Sequence, residues 1–151
     1  MPIFEKRTRI NAPPEAVFAF HELPDALERL TPPSESARVL EKTPHIKAGA
    51  RVVLLTRIGP MNARWVAEHT AYEQGRMFKD RQVTGPFAKW EHTHLFEPDG
   101  EGGSWLIDWI DYELPMGALG RLFGGGFARR KLERLFEFRH RVTKEACERR
   151  A

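Results

Sequence analysis

The chain has 151 residues, 41% apolar, 30% charged and 11% aromatic, with 24 basic against 21 acidic side chains and a formal net charge of +3. One domain of this length buries roughly 68–70% of the surface its unfolded chain exposes, so a single core spanning residues 1–151 is expected. No stretch free of Asp, Glu, Lys and Arg exceeds seven residues, which excludes a spanning helix of about 20 apolar residues. The single cysteine, Cys147, excludes an internal disulfide and a zinc ribbon.

The opening MPIFEKRTRI puts Glu5, Lys6 and Arg7 where a secretion signal would carry apolar residues, so a cytoplasmic location is expected. Residues 2–10 alternate, with Phe4, Thr8 and Ile10 on one face, and predict a strand. Asn11 followed by Ala12-Pro13-Pro14-Glu15 combines a capping side chain, early prolines and a first-turn acid, the marks of a helix start. The helix AVFAFHEL is short; Pro24 breaks it, DALERL adds another turn or two, and Thr31-Pro32-Pro33 stops the run.

From about residue 36 the period changes to two. ARVLEKT, RVVLLTRI, NARWVAEHTAY, RMFKDRQVT, FAKWEHTHLFE and SWLIDWIDYEL predict six more strands, separated by turn residues such as Gly59-Pro60, Gly85-Pro86 and Pro98 to Gly103. Gaps this short require hairpins and an antiparallel meander. The Gly-rich segment PMGALGRLFGGG reads as a connector or an apolar lip carrying Leu119, Leu122 and Phe123. The last helix is then expected from Phe127 to Arg149, with Ala128, Leu132, Leu135, Phe136, Arg139, Val142 and Ala146 near one face and Cys147 at its frayed end. The predicted architecture is α+β: a curved seven-stranded antiparallel sheet wrapped around a long C-terminal helix, with two short helices between the first two strands.

The segments INAPPEAVFAFHELPDALERLTPP, GPFAKWEHTHLFEP and DWIDYELPMGALGRLF resemble the SRPBCC superfamily of START-like and birch-allergen-like helix-grip proteins. The similarity covers nearly the whole chain and points to bacterial ligand-binding members of unassigned activity. It implies an internal pocket for a hydrophobic or amphipathic small molecule and no particular reaction.

Alternation assigns the candidate site. Trp65; Phe78, Asp80 and Gln82; and Trp90, His92, His94 and Phe96 fall on strand faces expected to turn inward together, and Asp108 with Tyr112 joins them if the last strand turns that face in, its other face being apolar too at Trp105, Ile107 and Trp109. Aromatic walls holding a few convergent polar groups are the usual form of a small-molecule site. Arg139, on the helix stripe, is placed to pair with one aspartate or with a ligand carboxylate. The same polar residues would equally form a satisfied network within the core. His92-Thr93-His94, with Asp80 or Asp108, has the spacing of a metal chelate, but the surrounding motif fits poorly and no metal or cofactor is assigned. A His–Asp pair with a water would support acid–base chemistry of the polyketide cyclase or dehydratase type, and this is the enzymatic alternative to a carrier or sensor. No G-x-S-x-G elbow and no phosphate loop is present.

From Phe127 onward nine basic residues face four glutamates, so the positive excess belongs to one helix. No aromatics interleave with it, and nucleic acid is not expected as a partner. The expected partner is a hydrophobic small molecule, with no stable membrane insertion, and the sequence leaves a homodimer open.

Overall fold

The computed structural model describes residues 2–35, 37–58 and 61–149, and of residues 58, 61, 118, 119 and 121–123 the backbone alone. The expected turn at Gly59-Pro60 and the lip side chains Leu119, Leu122 and Phe123 lie outside the described residues. In chain order the elements are β1 (Ile3–Ile10), α1 (Pro14–His21), α2 (Ala26–Arg29), β2 (Arg38–Lys42), β3 (Arg51–Ile58), β4 (Met61–Glu73), β5 (Met77–Thr84), β6 (Lys89–Pro98), β7 (Ser104–Glu113) and α3 (Gly117–Glu148). All strand pairs are antiparallel, in the order β1-β7-β6-β5-β4-β3-β2. The hairpin meander of the sequence is therefore present, with β1 returning to pair with β7.

Three expectations are corrected. Asn11 does not cap α1: Pro13 holds the N-cap position with no side-chain cap, and Pro14 occupies the first helical position, where its missing N–H costs nothing. The Gly-rich segment is not a connector. α3 begins at Gly117, ten residues before Phe127, and Gly120 is required there because a Cβ would lie 2.0 Å from the Pro115 carbonyl oxygen. Low helix propensity yields to this close reversal of the chain between β7 and α3. Cys147, finally, is buried in the core and not frayed.

The core has two apolar ends. One gathers Ile10, Phe18, Phe20, Phe78, Phe96, Leu106 and Cys147. The other gathers Phe4, Trp90, Ile110, Tyr112, Leu132 and Phe136. Each inward row crosses from one end to the other through a polar middle. On β6 it reads Trp90, His92, His94, Phe96; on β7 Tyr112, Ile110, Asp108, Leu106; on α3 Leu132, Phe136, His140, Thr143, Cys147, all buried. A belt of titratable groups thus cuts across the core at mid-height.

Candidate functional site

Strand pleating builds the belt. In the register, Asp80 lies opposite His69 on one side and His92 on the other, while His94 lies opposite Phe78 and Asp108. A bulge between His69 and Ala71 lets β4 turn both His69 and, three residues on, Tyr72 toward the core. Five of the six histidines meet in this region: His21 from α1, His69 from β4, His92 and His94 from β6, and His140 from α3.

Asp108 is the hub. Its Oδ1 accepts from His92 Nε2 at 2.6 Å and from His94 Nδ1 at 3.1 Å, and its Oδ2 accepts from His140 Nε2 at 2.6 Å. His140 Nδ1 lies 2.7 Å from the Thr8 hydroxyl. His94 Nε2 donates to Asp80 Oδ2 at 2.9 Å, so this imidazole bridges both carboxylates. Its ring stacks between Phe78, at 3.9 Å, and His92, at 3.7 Å.

These contacts set the charges. Burial alone would lower the His94 pKa, but hydrogen bonds to Asp108 and Asp80 outweigh it and raise the value. Burial opposes ionisation of Asp108, yet the bonds from His140, His92 and His94 hold its carboxyl well below the usual range. Asp80 is lowered too, its burial outweighed by the His94 bond. His92 is pushed down by burial and by the positive charge of His94. Burial pushes His21 down to about 4, against the raising effect of its Nδ1 bond to the Val17 carbonyl. These shifts favour the charged form of His94, between two carboxylates, and the neutral forms of His92 and His21. Its cover thins toward one side: side-chain exposure rises from 2% at His140 and 5% at Asp108 to 10% at His94 and 14% at Asp80.

The remaining candidates separate. Trp65, Trp90 and Tyr112 pack with Phe87 in the second apolar end, Trp65 meeting Trp90 edge-on at 5.1 Å. Phe78 and Phe96 belong to the first. Gln82 shares the inward face, but its amide bonds both the N–H and the carbonyl of Phe87 and staples the β5–β6 turn. Arg139 does not pair with an aspartate. Its Nε donates to the Leu30 carbonyl at 3.2 Å and its guanidinium lies over Phe136, leaving its other N–H groups without a partner among the described residues. The aspartate's helix partner is His140, one residue on. Leu30 caps the C-terminus of α2, and nearby opens a cleft of about 480 Å³ lined by Glu28, Thr31, Pro32, Pro33, Glu35, Ala37, Arg38, Val39 and Leu54.

His21, His69 and His140 were not nominated from the sequence. His140 follows Phe136 by one helical turn, and His69 continues the inward alternation from Trp65, so both carried a readable signal.

Ligand atoms of Asp80, His92 and His94 lie within 4.8 Å of one another, a set able to hold a metal. Over residues 1–148 the chain matches the family described as polyketide cyclase / dehydrase and lipid transport. The chain belongs to that family. Its fold is shared by a START superfamily protein from Mycobacterium smegmatis, with a TM-score of 0.71, 13% identity and 99% of each chain covered. The Zhui aromatase/cyclase from a Streptomyces species has a TM-score of 0.71 at 16% identity, covering 99% of this chain and 94% of that one. A nucleoside-diphosphate sugar epimerase from Corynebacterium glutamicum, at 24% identity and a TM-score of 0.70, is matched over 94% of this chain but 28% of its own. At these identities the likeness concerns the fold. No protein of curated function matches the chain. The helix-grip architecture and the SRPBCC resemblance both stand, and no described helix is long and apolar enough to cross a membrane.

Proposed function

We propose that the chain binds an amphipathic small molecule, as a carrier or sensor, with the ligand's anionic or polar end at Arg139 and its apolar part in the cleft beside α2. The observation that carries this reading is the state of Arg139. Its guanidinium is fixed by one ring and by the carbonyl of Leu30, whose next residue, Thr31, lines the cleft, and it retains N–H donors without partners among the described residues. Burial lowers its pKa, and the carboxylates of Asp108, Asp80 and Glu35 counter that effect. A guanidinium so placed is pre-organised for a carboxylate or similar acceptor. The ring walls Trp65, Phe78, Trp90, Phe96 and Tyr112 then act as the rigid support behind the site.

The cyclase or dehydratase alternative draws on the His94 bridge between Asp80 and Asp108, which has the form of an acid–base relay. Its groups are bonded to one another and lie beneath the belt's cover, an arrangement that favours binding over proton transfer to a substrate. Organic extraction of the purified chain followed by mass spectrometry tests the proposal. Recovery of an amphipathic molecule in near-stoichiometric amount supports it. An extract with no such molecule, from a protein that also fails to take up an added anionic amphiphile, rejects it.

A further inference from the structure

The belt contains an arrangement that a self-satisfied core network does not require. His92 Nε2 lies 2.6 Å from Asp108 Oδ1, a carboxylate oxygen that only accepts, so Nε2 carries the proton and Nδ1 of the neutral ring presents a lone pair. That lone pair faces Asp80 Oδ2 at 4.0 Å, acceptor against acceptor. His94 Nε2 reaches the same oxygen at 2.9 Å. A tetrahedral zinc, with bonds of about 2.0–2.1 Å, needs ligand atoms roughly 3.3 Å apart, and the observed 2.9 and 4.0 Å bracket that spacing.

We propose that Asp80 Oδ2, His92 Nδ1 and His94 Nε2 form a site for a divalent transition-metal ion of zinc type, with Asp108 as the group that orients both imidazoles.

Three features argue for it. Asp108 Oδ1 takes the far nitrogen of each histidine, His92 Nε2 and His94 Nδ1, which is the carboxylate–histidine arrangement that aims imidazoles at a metal. The charge also fits. Coordination displaces the His94 Nε2 proton to solvent, and the two carboxylates then balance a divalent cation. A third nitrogen stands nearby: His69 lies opposite Asp80, is itself 7% exposed, and its Nδ1 is buried with no hydrogen-bond partner among the described residues. A buried imidazole nitrogen left unpaired is costly, and a cation on Asp80 is the kind of neighbour that would use it. Entry is from the Asp80 side, where the cover is thinnest. The site goes beyond the ligand reading and does not depend on it.

Cobalt(II) and zinc(II) titrations of the full chain, dialysed free of metal, test the site. One equivalent of cobalt is expected to give saturable visible absorption that zinc then displaces. Asp80→Asn is expected to weaken binding by at least about tenfold, given that even loss of an outer-shell partner typically costs 10–100-fold. His45→Ala, at an exposed position, is expected to leave it unchanged. If Asp80→Asn fails to fold, histidine ring NMR of the unaltered chain decides: zinc shifts His92 and His94 and spares His45. No saturable cobalt spectrum, equal affinity in Asp80→Asn, or zinc shifts confined to His45 would overturn the proposal. Metal binding without amphiphile uptake, or the reverse, breaks one proposal and leaves the other standing.

Discussion

The apolar ends of the core and the polar belt between them are buried by the same strands and the same helix, yet they are held together differently. At the ends, packing is distributed: Phe136 meets Phe4 at 5.6 Å and His92 edge-on at 5.2 Å, and many small contacts share the load. In the belt, one carboxylate serves three imidazoles. A distributed contact tolerates a change of shape, whereas a hub fails as a unit because each buried partner loses its hydrogen-bond acceptor at once.

Isosteric substitutions expose that contrast most strongly. Asp108→Asn keeps the volume but removes the charge that holds His94 protonated, and urea unfolding should show a loss of about 3–5 kcal/mol, the cost of breaking a buried ion pair. Leu132→Met, equally conservative in volume, should cost less than about 1.5 kcal/mol in the same assay. Equal losses at the two positions would erase the distinction between hub and distributed packing.

Acid should act on the belt in preference to the ends. His21 has a pKa near 4 in the folded chain against the ordinary 6.5. The unfolded chain therefore takes up the proton first. The stability this residue contributes is complete above about pH 6.5 and is lost as pH falls toward 4, by at most about 3 kcal/mol. The groups acting on it are His94 and His140, which lower the value, and Asp108, which raises it. Unfolding of His21→Phe between pH 7 and 4 should fall less steeply than that of the parent; parallel curves would show that His21 is not held neutral. A local effect is expected at the β5–β6 turn, where Gln82 holds Phe87. Gln82→Ala removes two bonds to the Phe87 backbone and should cost about 1–2 kcal/mol while leaving ligand uptake unchanged.

How far the sequence disclosed these regions follows from their physics. On β6 the inward row Trp90, His92, His94, Phe96 was legible because its outward partners Lys89, Glu91 and Thr93 leave a clean period of two. On β7 both faces carry apolar residues, and only the register with β1 and β6 decides that Asp108 is buried and Trp109 is 43% exposed. On α3 the stripe was read from apolar residues, so Leu132 and Phe136 were found, while His140 and Thr143 were passed over although both are fully buried. Position on the stripe is readable for both, but the His140 partners, Asp108 on β7 and Thr8 on β1, are set by the tertiary fold. The face of Arg139 follows from the same stripe, whereas its partner, the Leu30 carbonyl, is set by the tertiary fold. Glycine content hid the first ten residues of α3, where tertiary fit at Gly120 outweighs propensity.

The ligand-binding account rests on Arg139, and one titration addresses it directly. A fluorescent fatty-acid analogue and its uncharged alcohol counterpart are titrated into the parent chain and into Arg139→Met, which keeps the apolar stem and removes the guanidinium. The account predicts saturable binding of the acid by the parent, weakened about tenfold or more in the variant, as expected for loss of a charge-assisted hydrogen bond, with the alcohol affected little. Equal affinity of parent and variant for the acid would contradict it.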